Sequence, residues 1–472
     1  MKKLGITAIA LATLVAVGVG GAWYTGTQLE GVLQQNIEQA NQQLKEQLPG
    51  AEVHVELTAF ERGWFSSQAR YRVTLPTEET DDLPPDLLIA EQIEHGPFPL
   101  SRLTAFQWWP VMSVSHLELE ENAALAKLFK ASAGRAPISL HSSIGYDKTI
   151  TGTLEAAPLN WESEELSFSF SGLSANYETD TNTDVIKLDG HMDSLVLQDR
   201  TRAELQGVAF TVDRHRDDSG LHLGTGDMTI ERLAVEAEGQ PVLALQNLSQ
   251  ADVTTVDADG ANMGVKYRIG ALTYGSNELG SMEMDWTFSR FKPQALLDLV
   301  AAYNSVILSM AEQEQDPELV LGGLQAPLES LLDGYPRISL DNWSVKTAHG
   351  ESRFSMSMEL ARPLSLTLSA DKLMPQLIDS LEAHLSLSKP MLVDMVRYRE
   401  LFDPQLDAEA WEQEATTMID DMSETAEMLD LGRVEGDTIS TRIGYAGGAV
   451  KLNGQPIELG ALLGLMAGMP AF

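Results

Sequence analysis

The sequence predicts an α+β protein that is mostly β: an N-terminal transmembrane helix, then an elongated antiparallel β-meander with helical insertions and C-terminal helices. Three observations lead there. The run from Leu4 to Ala22 holds 19 residues without a charge, and no second run of its kind follows in the 472-residue chain. Between residues 138 and 290, apolar and polar residues alternate in segment after segment, the period of strands with one covered face. Beyond residue 292 the period lengthens to that of helices, with strands between them. The segments implied are 1–27 as a signal anchor, 28–130 as a stalk helix with the first strands and 131–291 as the β body. A helical hairpin plus strands then fills 292–372, and C-terminal helices with a closing hairpin fill 373–472.

At 1.5 Å per residue, the opening run reaches about 28 Å, close to the hydrocarbon thickness of a bilayer. Lys2 and Lys3 hold its start on the cytoplasmic side, and Trp23 and Tyr24 suit the far interface. Gly20-Gly21-Ala22 could serve as a cleavage site. However, signal-peptide cores usually span about 7 to 15 residues, and an amphipathic segment continues directly from this longer one. An uncleaved single-pass anchor is expected, with the lipid bilayer as its partner. Without cysteine, neither a lipoprotein anchor nor a disulfide can form. Acids number 69 against 32 bases; without Lys2 and Lys3, the remaining 30 bases leave the exported part at −39. Such a surface repels nucleic acid and anionic headgroups, so no nucleic-acid partner is expected.

In chain order, Leu29, Val32, Leu33, Ile37, Leu44 and Leu48 fall on one helical stripe, which Pro49-Gly50 ends. This reads as a stalk continuing the span. Val53, Val55 and Leu57 then alternate as a strand. In Arg62-Gly63-Trp64-Phe65-Ser66-Ser67, glycine permits a bend or bulge, with Trp64 and Phe65 on opposite faces. His95-Gly96-Pro97-Phe98-Pro99 makes a stiff corner unsuited to a central strand. Both are expected to define the fold rather than to form a docking surface. Trp108-Trp109-Pro110 reads as a covered corner, with a lipid-facing or partner-facing patch as the alternative. Asp189-Gly190, Asp218-Ser219-Gly220 and Asp259-Gly260 mark turns in the meander. Helices are expected from Pro293 and Pro317, a strand through Phe354 to Leu360 continuing over Leu364, Leu366 and Leu368, a helical region from Pro375 broken at Pro390, and a last helix from Gln405 to Gly432. A closing hairpin turns at Asn453-Gly454, and the apolar tail from Ala461 to Phe472 is too short to span a bilayer.

Three stretches carry a family resemblance: GAWYTG from Gly21, ERGWFSSQARY from Glu61 and EHGPFPLSRL from Glu94. In this order and position they resemble the bacterial YdgA family of membrane-anchored envelope proteins, a domain of unknown function. The motif residues are Arg62, Gly63, Phe65, Ser66, Ser67, His95, Gly96, Pro97 and Phe98. The resemblance implies attachment to the inner membrane of a Gram-negative cell with the body in the periplasm, and it supplies no activity. A more distant likeness, in architecture only, is to AsmA-like envelope proteins.

No reaction is legible. The nine histidines include no HExxH pattern, and the chain has no GxSxG, P-loop or GxGxxG element. Asp257-Ala258-Asp259-Gly260 has its glycine misplaced for a calcium loop, and His215 and His222 read as hairpin residues flanking a turn. No cofactor, metal or catalytic residue is expected. What remains is the apolar face of the sheet, with Phe168, Phe170, Met282, Met284, Trp286, Met356 and Met358 as its candidate residues. It suits either an ordinary core or a lipid, because methionine fits irregular shapes. Two functions follow: a non-enzymatic envelope protein holding lipid or another apolar ligand, or a scaffold acting through envelope protein partners.

Overall fold

A computed structural model describes residues 29–47, 53–75, 86–123, 125–163, 166–237, 240–312, 317–401 and 408–458. The run from Leu4 to Ala22 and the apolar tail lie outside the described residues. Among the described residues, no helix is long and apolar enough to cross a membrane. The chain is mostly β, with antiparallel pairing throughout the registers described below. It forms two compact units, Met1–Gly226 with Asp298–Leu324, and Asp227–Leu297 with Gln325–Phe472. The segments expected from sequence follow changes of local pattern, whereas each unit joins stretches distant in sequence.

The first unit opens with α1 (Leu29–Gln47), β1 (His54–Arg62), β2 (Ser66–Thr74), β3 (Asp86–His95), α2 (Leu100–Thr104) and β4 (Ser113–Leu119). There follow α3 (Ala126–Ala131), β5 (Ile138–Ile144), β6 (Thr149–Ala156), β7 (Leu159–Glu162), β8 (Ser167–Phe170), β9 (Leu173–Asp180), β10 (Val185–Gln198) and β11 (Thr201–Arg216). β1 to β6 pair in sequence order. The sheet then runs β6–β9–β10–β11, and the β7–β8 hairpin extends the edge of β10 beyond β9. The helical stripe foreseen for a stalk is here a packing face. Leu33, Ile37, Ala40 and Leu44 join Val55, Tyr71, Val73, Ile89, Ile93, Leu140 and Ile150 in one buried core. Asn41 fixes the helix to β1: its Nδ2 donates to the Val55 carbonyl, and the Val55 N–H donates to its Oδ1, both at 2.8 Å.

β12 (His222–Ala237) and α4 (Pro293–Glu312) carry residues of both units. The second unit contains β13 (Leu243–Asp257), β14 (Gly260–Tyr274), β15 (Asn277–Phe291), α5 (Pro317–Leu332, in part), β16 (Arg337–Lys346) and β17 (Glu351–Leu360). It closes with α6 (Ala370–Leu377), β18 (Ile378–Ser388), α7 (Lys389–Arg397), α8 (Ala408–Met428), β19 (Arg433–Glu435), β20 (Thr438–Ala446), β21 (Ala449–Leu452) and β22 (Gln455–Ile457). β13 to β18 pair in order, β20 joins β18, and β19 and β21 flank the other side of β20.

Several sequence expectations change. Asp189-Gly190 is no turn: both residues lie within β10, where a Cβ on Gly190 would stand 2.4 Å from the Phe210 ring. Leu364, Leu366 and Leu368 continue no strand, because Arg362-Pro363 interrupts the ladder and Leu364 is exposed. Between Pro375 and Pro390 runs β18 rather than helix, its Leu381, Ala383, Leu385 and Leu387 alternating. Pro390 lies in the first turn of α7, whose N-cap Ser388 side chain accepts from the Met391 N–H. The closing hairpin is a small meander, and Asn453-Gly454 turns its last pair, β21 and β22.

Candidate functional site

Two surfaces stand out. The first is the sheet face of the second unit. Directly paired residues share a face, so the register sets Val265, Trp286, Leu340, Met356 and Ala383 in one row across β14 to β18. The next row holds Met263, Phe288, Ile338, Met358 and Leu381, and another holds Tyr267, Met284, Trp343, Phe354 and Leu385. Met282 stands between Ile269 and Val345. The structure thus brings five of the expected residues together: Met282, Met284, Trp286, Met356 and Met358. None of the five is buried; each is partly exposed, and Trp343 beside Met284 is 43% exposed. Phe168 and Phe170 belong to the first unit. There they pair with Trp161 and Leu197, and with Leu159 and Leu195, as a separate apolar strip. Two clefts, of about 760 Å³ in the first unit and about 540 Å³ in the second, include polar side chains such as Thr153, Asn176, Glu178 and Lys187, or Ser355, Glu382, His384 and Arg442, in their lining.

The second surface is one end of the first unit. Antiparallel order sends the turns at 63–65, 96–112 and 145–148 to the same end. The family-motif residues meet there. The His95 N–H donates to the Phe65 carbonyl at 2.8 Å, and the Gly96 N–H donates to the Met112 carbonyl at 2.7 Å. A Cβ on Gly96 would stand 1.9 Å from the Val111 carbonyl oxygen, so no larger residue fits that approach. Ser67 Oγ and His95 Nε2 are 3.0 Å apart. That pairing suits a nucleophile and its base, but Ser67 is 1% exposed and cannot meet a substrate as it stands. It acts as a latch between β2 and the end of β3. Burial lowers the His95 pKa, against an opposing hydrogen bond with the Trp64 backbone. The corners themselves are uncovered: Trp64 is 95% exposed, Phe65 84%, Phe106 80% and Trp109 83%. Trp108-Trp109, expected as a covered corner, is therefore an open one. Phe98, Leu100 and Tyr146 extend the patch.

Sequence reasoning passed over two polar clusters. Glu91 lies wholly inside the first core, accepting from the Tyr71 hydroxyl at 2.5 Å and from the Ser115 hydroxyl. Its signal was parity, since it shares the inward side of β3 with Leu87, Ile89 and Ile93. Burial raises its pKa to about 7, against the two hydrogen bonds. In the second unit, buried Asp394 accepts from the Thr347 hydroxyl at 2.6 Å, the His349 N–H at 3.1 Å and His349 Nδ1 at 2.7 Å. Burial pushes the Asp394 carboxyl up, yet these bonds outweigh it and hold the pKa below the usual range. The cluster clamps the β16–β17 turn onto α7. Among the described residues, no three His, Asp or Glu side chains are arranged to hold a metal ion.

The geometry defines a class: a two-unit antiparallel β protein with an open apolar sheet face and an aromatic end built from sequence motifs. Comparison with known proteins supplies the family. The model of a family described as bacterial protein of unknown function (DUF945) matches residues 1–460, and the chain belongs to that family. Protein YdgA of Escherichia coli K12 is 27% identical, covering 98% of this chain and 97% of its own. The uncharacterized protein YihF of the same organism is 24% identical, over 97% of both chains. An uncharacterized protein of Haemophilus influenzae is 25% identical over 64% of this chain and 85% of its own. No solved structure matches.

Proposed function

We propose that this protein is a non-enzymatic envelope protein, held in the bacterial inner membrane by the run from Leu4 to Ala22, with its body in the periplasm. It holds the acyl chains of a lipid, or a similar apolar ligand, on the sheet face of the second unit. One observation carries the reading: the apolar rows run unbroken across β14 to β18 while most of their side chains remain partly exposed. Contiguous exposed apolar surface of this kind marks a binding site. Each methylene buried there contributes about 0.8 kcal/mol, so half an acyl chain already binds with useful affinity.

A photoreactive residue placed at Met356 in the full chain, in cells fed radioactive fatty acid, is expected to capture labelled lipid. Met284→Asp is expected to abolish that capture while leaving the unfolding transition in place. If aspartate there unfolds the chain, the face is an ordinary core, since a buried unpaired carboxylate costs several kcal/mol. A folded wild type that captures no lipid leaves the scaffold function, with protein partners, in its place.

A further inference from the structure

We propose that the aromatic end of the first unit docks into the headgroup region of the same bilayer that holds the N-terminal apolar run. The inference rests on the anchor in the reading above and not on its ligand. It begins with the direction of α1. Residues 48–53 connect the end of α1 to the start of β1, the Asn41 clasp holds the two together at Val55, and α1 packs most extensively along β1. Helix and strand therefore run antiparallel. They are also matched in length: 19 residues of helix span about 28 Å and nine of strand about 30 Å. From the clasp, the twelve residues back to Leu29 carry the helix about 18 Å along β1, toward the far end where Trp64 and Phe65 project. The apolar run ends at Ala22, a few residues before Leu29, so an anchored chain enters the body at its aromatic end.

Charge points the same way. Residues 96–112 contain no acid in a chain that has 69, and Arg102 is their one charged residue. Glu120 and Glu121, which follow β4, lie at the opposite end of the strands, in a connection that also holds Lys127, Lys130 and Arg135. The acid-free connection 96–112 presents Phe106, Trp108 and Trp109 beside Trp64 and Phe65, and this aromatic cluster, with Glu94 and Asp147 at its margins, suits one occupant. Tryptophan and other amphipathic rings partition into the interface, where an apolar body meets lipid and a polar edge meets water. A protein partner would need no such alignment with the anchor.

The absence of cysteine makes the test direct. Phe65→Cys, Phe106→Cys and the opposite-end control Glu121→Cys are each labelled with a polarity-sensitive dye in the full chain. Each is then reconstituted in phosphatidylcholine nanodiscs containing lipids spin-labelled at the headgroup and upper acyl chain. The labels at 65 and 106 are expected to shift to the blue and be quenched, and the label at 121 to stay solvated. Chains that elute with the discs but carry solvated labels at 65 and 106 overturn the docking and leave the anchor standing. Chains that do not elute with the discs overturn both.

Discussion

Glu91 shows how much one side chain decides. In the unfolded chain its carboxyl titrates near the ordinary 4.5, whereas burial in the core raises it to about 7. The folded state binds the proton more tightly, so the sign is opposite to that of a salt-bridged acid. Its stabilising contribution is complete below about pH 4.5 and is lost as pH rises toward 7. A displacement of that size corresponds to about 3 kcal/mol across the window. Glu91→Gln keeps an acceptor for Tyr71 and Ser115 without a charge to bury. In urea unfolding, the variant's stability relative to wild type is expected to rise by about 3 kcal/mol between pH 4.5 and pH 8. A difference that stays flat with pH would mean the carboxyl is not desolvated. Ser67 and Gly96 act at the same scale. One latches His95, and the other admits a backbone approach that a single methyl would block.

The element that most changes meaning between sequence and structure is α1. Its stripe is legible in Leu33, Ile37 and Leu44, but its partner is not, because Tyr71, Ile89 and Leu140 lie far along the chain. Leu33 is completely buried. Leu33→Ala is expected to cost about 2–5 kcal/mol, as deletion of a buried leucine does. A free stalk would leave the unfolding midpoint unchanged, so urea titration of the variant separates the two roles. The long strands were readable for a different reason: alternation such as Met282 to Phe288 is a local signal that pairing only confirms. Where alternation and punctuation compete, the reading slips. The two prolines around β18 look like helix boundaries, and Pro390 is one, but the strand between them answers to β17 and β20. Gly190 looks like a turn because glycine serves turns, while here it makes room for Phe210. The aromatic end was legible as motif and not as surface. Exposure of Trp64 and Trp109 depends on which turns share an end, and that is topology.

At the scale of the whole molecule, acidity is the dominant property, and it is unevenly placed. With −39 on the chain beyond Lys3, like charges crowd a folded surface more closely than they do an expanded chain, so self-repulsion works against folding. Ion pairs such as Arg72–Glu56 and Arg362–Glu329 offset little of this, being solvent-exposed and few beside 69 acids. Screening should therefore stabilise the fold. The Debye length falls from about 30 Å at 0.01 M salt to about 8 Å at 0.15 M, which removes repulsion between all but neighbouring carboxylates. The melting temperature is expected to rise with sodium chloride over this range, and most steeply at its lower end. The same field acts on partners. The full chain is expected to leave DNA unshifted in a gel at micromolar protein and low salt, where a nucleic-acid binder would be at its tightest. A melting temperature that falls steadily with salt, or a shifted DNA band, would show that the acids are paired or faced by cations in a way the surface does not display. Neutral lipid escapes this repulsion, and the stretch 96–112 among the motif turns holds no acid of its own. A charge expected to repel nucleic acid is thus compatible with a bilayer contact made through aromatic rings.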